Sequence, residues 1–299
     1  MSLAHPIIAV TGSSGAGTTR TKAAFDHIFR RLGLTPAYVQ GDSFHRFDRA
    51  AMQQEVARAE ARGETLTHFG PAGNWFDRME TLFAEYGASG RGQRRHYLHT
   101  DEEARARGGE AGTFTDWEAL PPDTDVMLYE GLHGGLVTDE VDIARYVDLL
   151  IGVVPIINLE WIQKIERDRS VRGHSAEDAT ASILRRMPDY VHYICPQFSR
   201  TDINFQRIPL VDTSNPFTAP AIPNNDESLL VIHITNTEKI PVNYDALLAM
   251  LEGAWLSGPD TVVIPAGKKM FAIELLLTPV IERLAIQRSA ALGQRAGLT

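Results

Sequence analysis

VTGSSGAGTTRTK, residues 10–22, has the outline of a phosphate-binding loop with one residue out of place. The usual pattern is G-x-x-x-x-G-K-[ST]. Gly12 and Gly17 hold the two glycine positions, Thr19 holds the final hydroxyl, and Thr18 stands where the lysine belongs. HPIIAV, residues 5–10, is a short apolar run, which predicts a buried strand feeding the loop. Residues 17–32 have helical spacing, with Phe25, Ile28, Phe29 and Leu32 on one side. Strand, glycine-rich loop and helix thus follow in the order a phosphate loop requires. In such a loop, backbone N–H groups converge on an anion at the positive end of the helix. Gly12, Ser13, Ser14, Gly15, Ala16, Gly17, Thr18 and Thr19 are then the candidate nucleotide-binding residues, with Thr19 also a candidate Mg²⁺ ligand. The competing reading is a tight strand-to-helix turn with no ligand. If phosphoryl transfer occurs, a cation must replace the missing lysine. Lys22 lies one turn into the helix and is expected to point the wrong way, so a lysine elsewhere in the chain is the better candidate.

Bulk properties narrow the function further. The chain has 299 residues, 43% hydrophobic and 22% charged, as in an ordinary soluble globular protein. With 29 Lys+Arg against 38 Asp+Glu, the net charge is −9, which lacks the footprint of a nucleic-acid binder. Local basic clusters are then sites for small anions. The single cysteine, Cys195, cannot form an internal disulfide and fits a reducing compartment. The N-terminus lacks the pattern of a signal peptide. The apolar run at residues 149–159 is too short to span a bilayer and contains Pro155. A cytoplasmic protein without membrane or nucleic-acid partners is expected.

Along the chain, apolar segments at residues 37–42, 125–134, 148–155, 208–211, 228–234 and 261–264 predict further strands. Helical patterns cover residues 49–63, 75–86, 159–172, 176–193, 244–251 and 271–288. Residues 87–92 are expected to be a loop, and residues 94–99 a strand or extended segment. Short apolar strands alternating with helices imply a single α/β domain, with a mostly parallel mixed sheet covered by helices on both faces. Sites in such sheets lie beyond the carboxyl ends of the strands.

Two carboxylates fall there. Asp42 follows the second strand in GDSFHRFDR and is a candidate general base; the alternative is an N-cap opening the next helix. His45 and Arg49, three and seven residues on, are candidate ligands for an anionic substrate group. Glu130 ends another buried run, as the acidic Mg²⁺ position of phosphate-loop enzymes does. In WIQKIERDRSVRG, Lys164, Arg167 and Asp168 share one helix face, and Arg172 lies one turn beyond Asp168. Such a face is either a solvated set of ion pairs or part of a lid that closes over phosphate, supplying the lysine the loop lacks. His99 in HYLH is either a substrate ligand or a strand-end histidine.

Taken together, HPIIAVTGSSGAGTT, GDSFHRFDRA, HYLH, YEGLHGG, IGVVPIINLEWIQKIERDRSVRG, ILRRM and PQFSRTDINFQRIPLVDTSNPF resemble the bacterial-type phosphoribulokinases, in order over residues 5–285. A phosphate loop with threonine in place of lysine is itself a feature of that type. The resemblance implies a phosphate-loop kinase fold with a helical lid around residues 159–193. It implies Mg²⁺- and ATP-dependent phosphorylation of D-ribulose 5-phosphate at its 1-hydroxyl, in the Calvin cycle. By resemblance, Asp42 matches the catalytic base, and His45, Arg49, His99 and Arg172 match sugar-phosphate ligands. Glu130 and Asp168 match carboxylates involved with Mg²⁺ and catalysis, and either Asp42 or Asp168 takes the proton. Lys164 and Arg167 match the cations that stabilise the transferring group. Ala16 stands where the plant-type enzymes carry a regulatory cysteine, so no internal dithiol switch exists. The bacterial type is commonly an octamer activated by NADH and inhibited by AMP. An octamer-like assembly is expected, but the arginine-poor C-terminal third argues against strong NADH activation. The alternatives are another kinase of the same fold, acting on uridine or pantothenate, or a nucleotide sensor without catalysis.

Overall fold

Alternation of side chains places β1 (Ile7–Gly12) between two apolar layers. Ile8 and Val10 enter one core, Ile7 and Ala9 the other, and all four are buried. A computed structural model describes residues 4–12, 18–154, 156–172, 175–218 and 221–296. Its further strands are β2 (Pro36–Gln40), β3 (Gln93–Arg94), β4 (Glu118–Ala119), β5 (Val126–Gly131), β6 (Leu149–Val154), β7 (Ile203–Pro209), β8 (Ser228–His233), β9 (Trp255–Gly258) and β10 (Thr261–Pro265). One eight-stranded sheet runs in the order β2-β5-β1-β6-β7-β8-β10-β9. Neighbours from β2 through β7 are parallel, while β8, β10 and β9 add antiparallel pairs at one side. This is the mostly parallel mixed sheet expected. β3 and β4 form a separate two-stranded ribbon.

The helices are α1 (Thr18–Leu32), α2 (Arg49–Ala61), α3 (Phe76–Ser89), α4 (Asp101–Arg107), α5 (Ile157–Arg172), α6 (Ala176–Asp189), α7 (Tyr244–Met250) and α8 (Lys269–Ala296). On one face of the sheet, Phe25, Ile28 and Phe29 of α1 pack with Ile273, Leu277 and Ile281 of α8. On the other, Met79, Leu82, Phe83 and Tyr86 of α3 cover Met127 and Tyr129 of β5. Helices therefore lie on both faces. α5 and α6 pack on each other through a small cluster of their own, Ile165, Ala179 and Ile183. No described helix is long and apolar enough to cross a membrane.

Several boundaries differ from the sequence reading, each for a local reason. β2 stops at Gln40, and Asp42 lies on a 3₁₀ turn, residues Gly41–Phe44, instead of ending a strand. α3 continues through Gly87 to Ser89 and stops where Gly90 adopts φ +69°, so the expected loop at residues 87–92 begins later. α6 ends at Asp189, not Tyr193. Pro188 has no N–H to continue the ladder, and a π turn, Tyr190–Ile194, follows. β7 is Ile203–Pro209 instead of residues 208–211. Its signal is alternation, with Ile203 and Phe205 buried, and the more conspicuous apolar pair after it, Leu210 and Val211, is exposed. α8 runs past residue 288 and absorbs Pro279. Of residues 94–99 only Arg94 is in a strand.

Candidate active site

Two glycines bring the turn after β2 against the end of β5. β2 and β5 are in register with Gln40 opposite Glu130. Just beyond, Gly41 and Gly131 touch. A Cβ on Gly41 would come within 2.9 Å of the Gly131 Cα, and one on Gly131 within 2.7 Å of the Gly41 Cα. Only glycine permits that approach. It lets the turn carrying Asp42 fold over the end of β5, where Glu130 lies. β1 adjoins β5 with Val10 opposite Glu130, so the strand leading into the glycine-rich loop ends at the same edge. The sites expected beyond the strand carboxyl ends therefore share one edge of the sheet.

Asp42 is not a helix cap. Asp48 caps α2, accepting from the Ala51 N–H at 2.8 Å. Asp42 is instead gripped by two imidazoles. His45 Nε2 lies 3.1 Å from Oδ1, and His99 Nε2 lies 3.3 Å from Oδ2. Desolvation by the surrounding protein favours the neutral acid, but both imidazoles oppose it and hold the carboxyl well below the usual carboxylate range. The hydrogen bond to Asp42 in turn raises the pKa of His99 against the effect of its own burial. Asp42 is thus ionised at neutral pH, and its side chain remains 36% exposed, open to a substrate.

Arg49 joins the group from α2. Its guanidinium donates to the His99 carbonyl at 3.1 Å, and its N–H donates to the Gly112 carbonyl at 2.8 Å. Gly112 has φ +91°, and a Cβ there would press on the Arg49 side chain at 3.0 Å. The structure therefore assembles Asp42, His45, Arg49 and His99 from three separate segments.

The turn itself is clamped by Arg95, which sequence reasoning missed. Its Nε donates to the Ser43 carbonyl at 2.8 Å and its Nη2 to the His45 carbonyl, and the Ser43 hydroxyl donates back to the Arg95 carbonyl. The guanidinium lies 3.6 Å above the Phe114 ring. Burial lowers its pKa to about 10, with Arg78 nearby adding to the effect. His133 and Gln197 were also missed. His133, buried, donates from Nε2 to the Phe69 carbonyl at 2.9 Å, and desolvation pushes it down to about 3, so it is neutral. Gln197 accepts from the Thr11 hydroxyl at 2.8 Å and from the Gly135 N–H at 2.9 Å, tying the end of β1 to the loop after β5. Both lie within stretches quoted above, YEGLHGG and PQFSRTD. Only their contacts distinguish them from other polar residues there.

Lys22 is engaged within its own helix and against β2. It pairs with Asp26 at 3.1 Å and lies 4.2 Å over the Tyr38 ring. Lys164 is half-buried on α5. Ser13, Ser14, Gly15, Ala16 and Gly17 lie outside the described residues, as do the side chains of Thr18, Thr19, Arg167, Asp168 and Arg172. The backbones of the last three are helical, which keeps Lys164, Arg167 and Asp168 on one face of α5.

Similar proteins extend this edge into a family. The pattern of the phosphoribulokinase / uridine kinase family matches residues 7–214. "Phosphoribulokinase, chromosomal" of Cupriavidus necator is 54% identical over 292 residues, 97% of this chain and 99% of that protein. "Phosphoribulokinase 1" of Cereibacter sphaeroides is 51% identical over 97% of this chain and all of its own. The solved structure of phosphoribulokinase from Rhodobacter spheroides superposes with a TM-score of 0.89 at 48% identity, covering 96% of this chain and 100% of that one. With half of all residues shared along nearly the whole length and the same sheet beneath them, the chain belongs to the phosphoribulokinase / uridine kinase family.

Proposed function

We infer that this protein transfers the γ-phosphoryl group of ATP to the 1-hydroxyl of D-ribulose 5-phosphate, giving ribulose 1,5-bisphosphate and ADP. The observation that carries the reading is the Asp42 turn, an ionised carboxylate between two imidazoles at the strand edge that also leads into the glycine-rich loop. Relatives named phosphoribulokinase, similar over nearly their full length, supply the acceptor. In the transfer, the bond from the γ-phosphorus to the ADP oxygen breaks and a bond to the sugar O1 forms. The hydroxyl proton passes to Asp42. Asp168, whose side chain lies outside the described residues, is the other candidate for that role. His99, beside Asp42, and Arg49, whose guanidinium lies on the His99 carbonyl, suit the substrate's phosphate, with Arg172 from α5. The α5–α6 pair, around residues 159–193, acts as a lid that carries Lys164 and Arg167 to the transferring group. There they offset charge that Thr18 cannot.

Glu130 fits Mg²⁺ in its chemistry. The ion takes one or two carboxylates together with substrate phosphates and water. Among the described residues, no group of three or more His, Cys, Asp or Glu forms a dedicated metal cage. Glu130, with Asp168 and Thr19, would hold the ion, which supplies neutralisation of the phosphate charge. A cytoplasmic location fits the lone exposed thiol of Cys195. A homo-oligomer is proposed from the family resemblance alone.

Coupled ADP release, measured with Mg-ATP and a panel of ribulose 5-phosphate, uridine and pantothenate, tests the acceptor. Turnover is expected with ribulose 5-phosphate only; turnover with either other compound and none with the sugar phosphate would overturn the assignment. For the displaced lysine, Lys164→Ala should lower kcat by roughly 100-fold or more, on the scale of losing one electrostatic stabiliser. Lys22→Ala should stay within about twofold, because its partner is Asp26. Rate assays on both variants decide which cation serves the phosphates.

The pH dependence has a fixed sign. The Asp42 carboxylate ionises well below the usual range, so its protonation sets only a limb at strongly acidic pH. His99 has a raised pKa, so its charge, and the stabilisation from its pair with Asp42, is complete below about pH 6.5 and is lost as pH rises through the raised value. kcat/KM for the sugar phosphate should therefore fall on that alkaline side. The limb should be missing from His99→Asn, which pH profiles of the two proteins will show.

A further inference from the structure

Behind Asp42, His45 has no ring nitrogen to spare. Its Nε2 faces Asp42 at 3.1 Å, and its Nδ1 lies 2.7 Å from Oδ1 of Asn74. Both His45 and Asn74 are buried, and they pair as an antiparallel bridge. The amide of Asn74 can point only one way. Its Nδ2 donates to the carbonyls of His68, at 2.9 Å, and Gly70, at 2.8 Å. Turned over, it would set an oxygen against two oxygens. Oδ1 is therefore an acceptor, and the proton of that contact resides on His45 Nδ1. The contact from Nε2 to the Asp42 oxygen must then hold a proton as well, since two bare acceptors would repel.

We propose that Asn74 is a positioning residue for the phosphoryl transfer: by keeping a proton on His45 Nδ1 it commits Nε2 to Asp42, and so sets the direction and basicity of the carboxylate that receives the hydroxyl proton. It rests on the reading of Asp42 as that acceptor. Without the amide, His45 is free to take the other neutral tautomer or to rotate, and Asp42 loses a charged partner. His45 is thereby a support of the carboxylate, since a substrate phosphate would reach its nitrogens only by displacing Asp42 or Asn74. The other groups facing His45 are the His68 ring, 4.4 Å away, the Arg95 guanidinium on its carbonyl, and His133, which is neutral. None of them offers Nδ1 the acceptor that Asn74 does. His99 meets the other carboxylate oxygen of Asp42.

The test is a double-variant cycle of Asn74→Leu and His45→Asn, reading kcat, KM for ATP and the acid limb of kcat/KM. Asn74→Leu should lower kcat by roughly 10- to 100-fold, the scale for losing a group that orients a working histidine. Its acid limb should move to higher pH, with KM for ATP unchanged. In the double variant the loss should match that of His45→Asn alone, because Asn74 works through His45. Losses that multiply, or a pH profile that does not move, would overturn the proposal. Should Asn74→Leu fail to fold, ¹⁵N-histidine NMR of the native protein decides, with His45→Asn assigning the signal. A protonated Nδ1 at neutral pH is expected, and a bare Nδ1 overturns it. If Asp42→Asn retained turnover, the acceptor reading would fail instead, whatever the coupling between residues 74 and 45.

Discussion

The active edge depends on one carboxylate held by two imidazoles. Asp42 sits where burial alone would favour its neutral form, and the His45 and His99 contacts reverse that preference. Their effect is electrostatic, so it weakens with water and strengthens where water is excluded. An ionised acceptor that is ready at neutral pH is a weak base in isolation. It suits a reaction whose transition state is loose, because little negative charge builds on the attacking hydroxyl before phosphorus arrives. Positioning then matters more than basicity, and much of the surrounding structure restrains position. Arg95 holds the carbonyls of the turn, Asn74 holds His45, and Arg49 holds the segment that carries His99.

The sheet makes that edge possible. Parallel pairing of β2, β5 and β1 brings three carboxyl ends together, and the contact between Gly41 and Gly131 lets two of them converge. Apolar alternation on β1 and β5 anchors the edge to two cores, one under α1 and α8, the other under α3. α5 and α6 share a separate small cluster, and polar contacts join them to the rest. The Thr67 hydroxyl donates to Asp189, and Arg185 pairs with Glu60, while the Tyr190 hydroxyl donates to Glu160 within the pair.

The parts legible in the sequence were those written in local pattern. Alternating and continuous apolar runs located β1, β5 and β6, because burial on both faces leaves a plain signature. The spacing of Asp42, His45 and Arg49 announced a site, although not its wiring. The sequence offered His45 and His99 as ligands for a substrate anion but did not show that both also reach Asp42. That wiring is long-range. Asn74 lies 29 residues from His45, and Arg95 lies 52 residues from Ser43, so no local spacing predicts either contact. β9 and α4 were missed for a related reason. β9 is an exposed edge strand with Trp255 and Leu256 open to solvent, and α4 is short and almost wholly exposed, so neither carries a burial pattern.

Single-turnover quench-flow with Mg-ATP and ribulose 5-phosphate, run beside an independent measurement of ATP affinity, tests the role of Asp42 most directly. Asp42→Asn keeps the shape of the side chain and removes its charge. The phosphoryl-transfer step in that variant should slow by roughly 100- to 10,000-fold, the range for losing a general base, while ATP affinity stays within about twofold. A transfer step that runs in Asp42→Asn at nearly the native rate would contradict the account and pass the proton to another group, with Asp168 the first to examine.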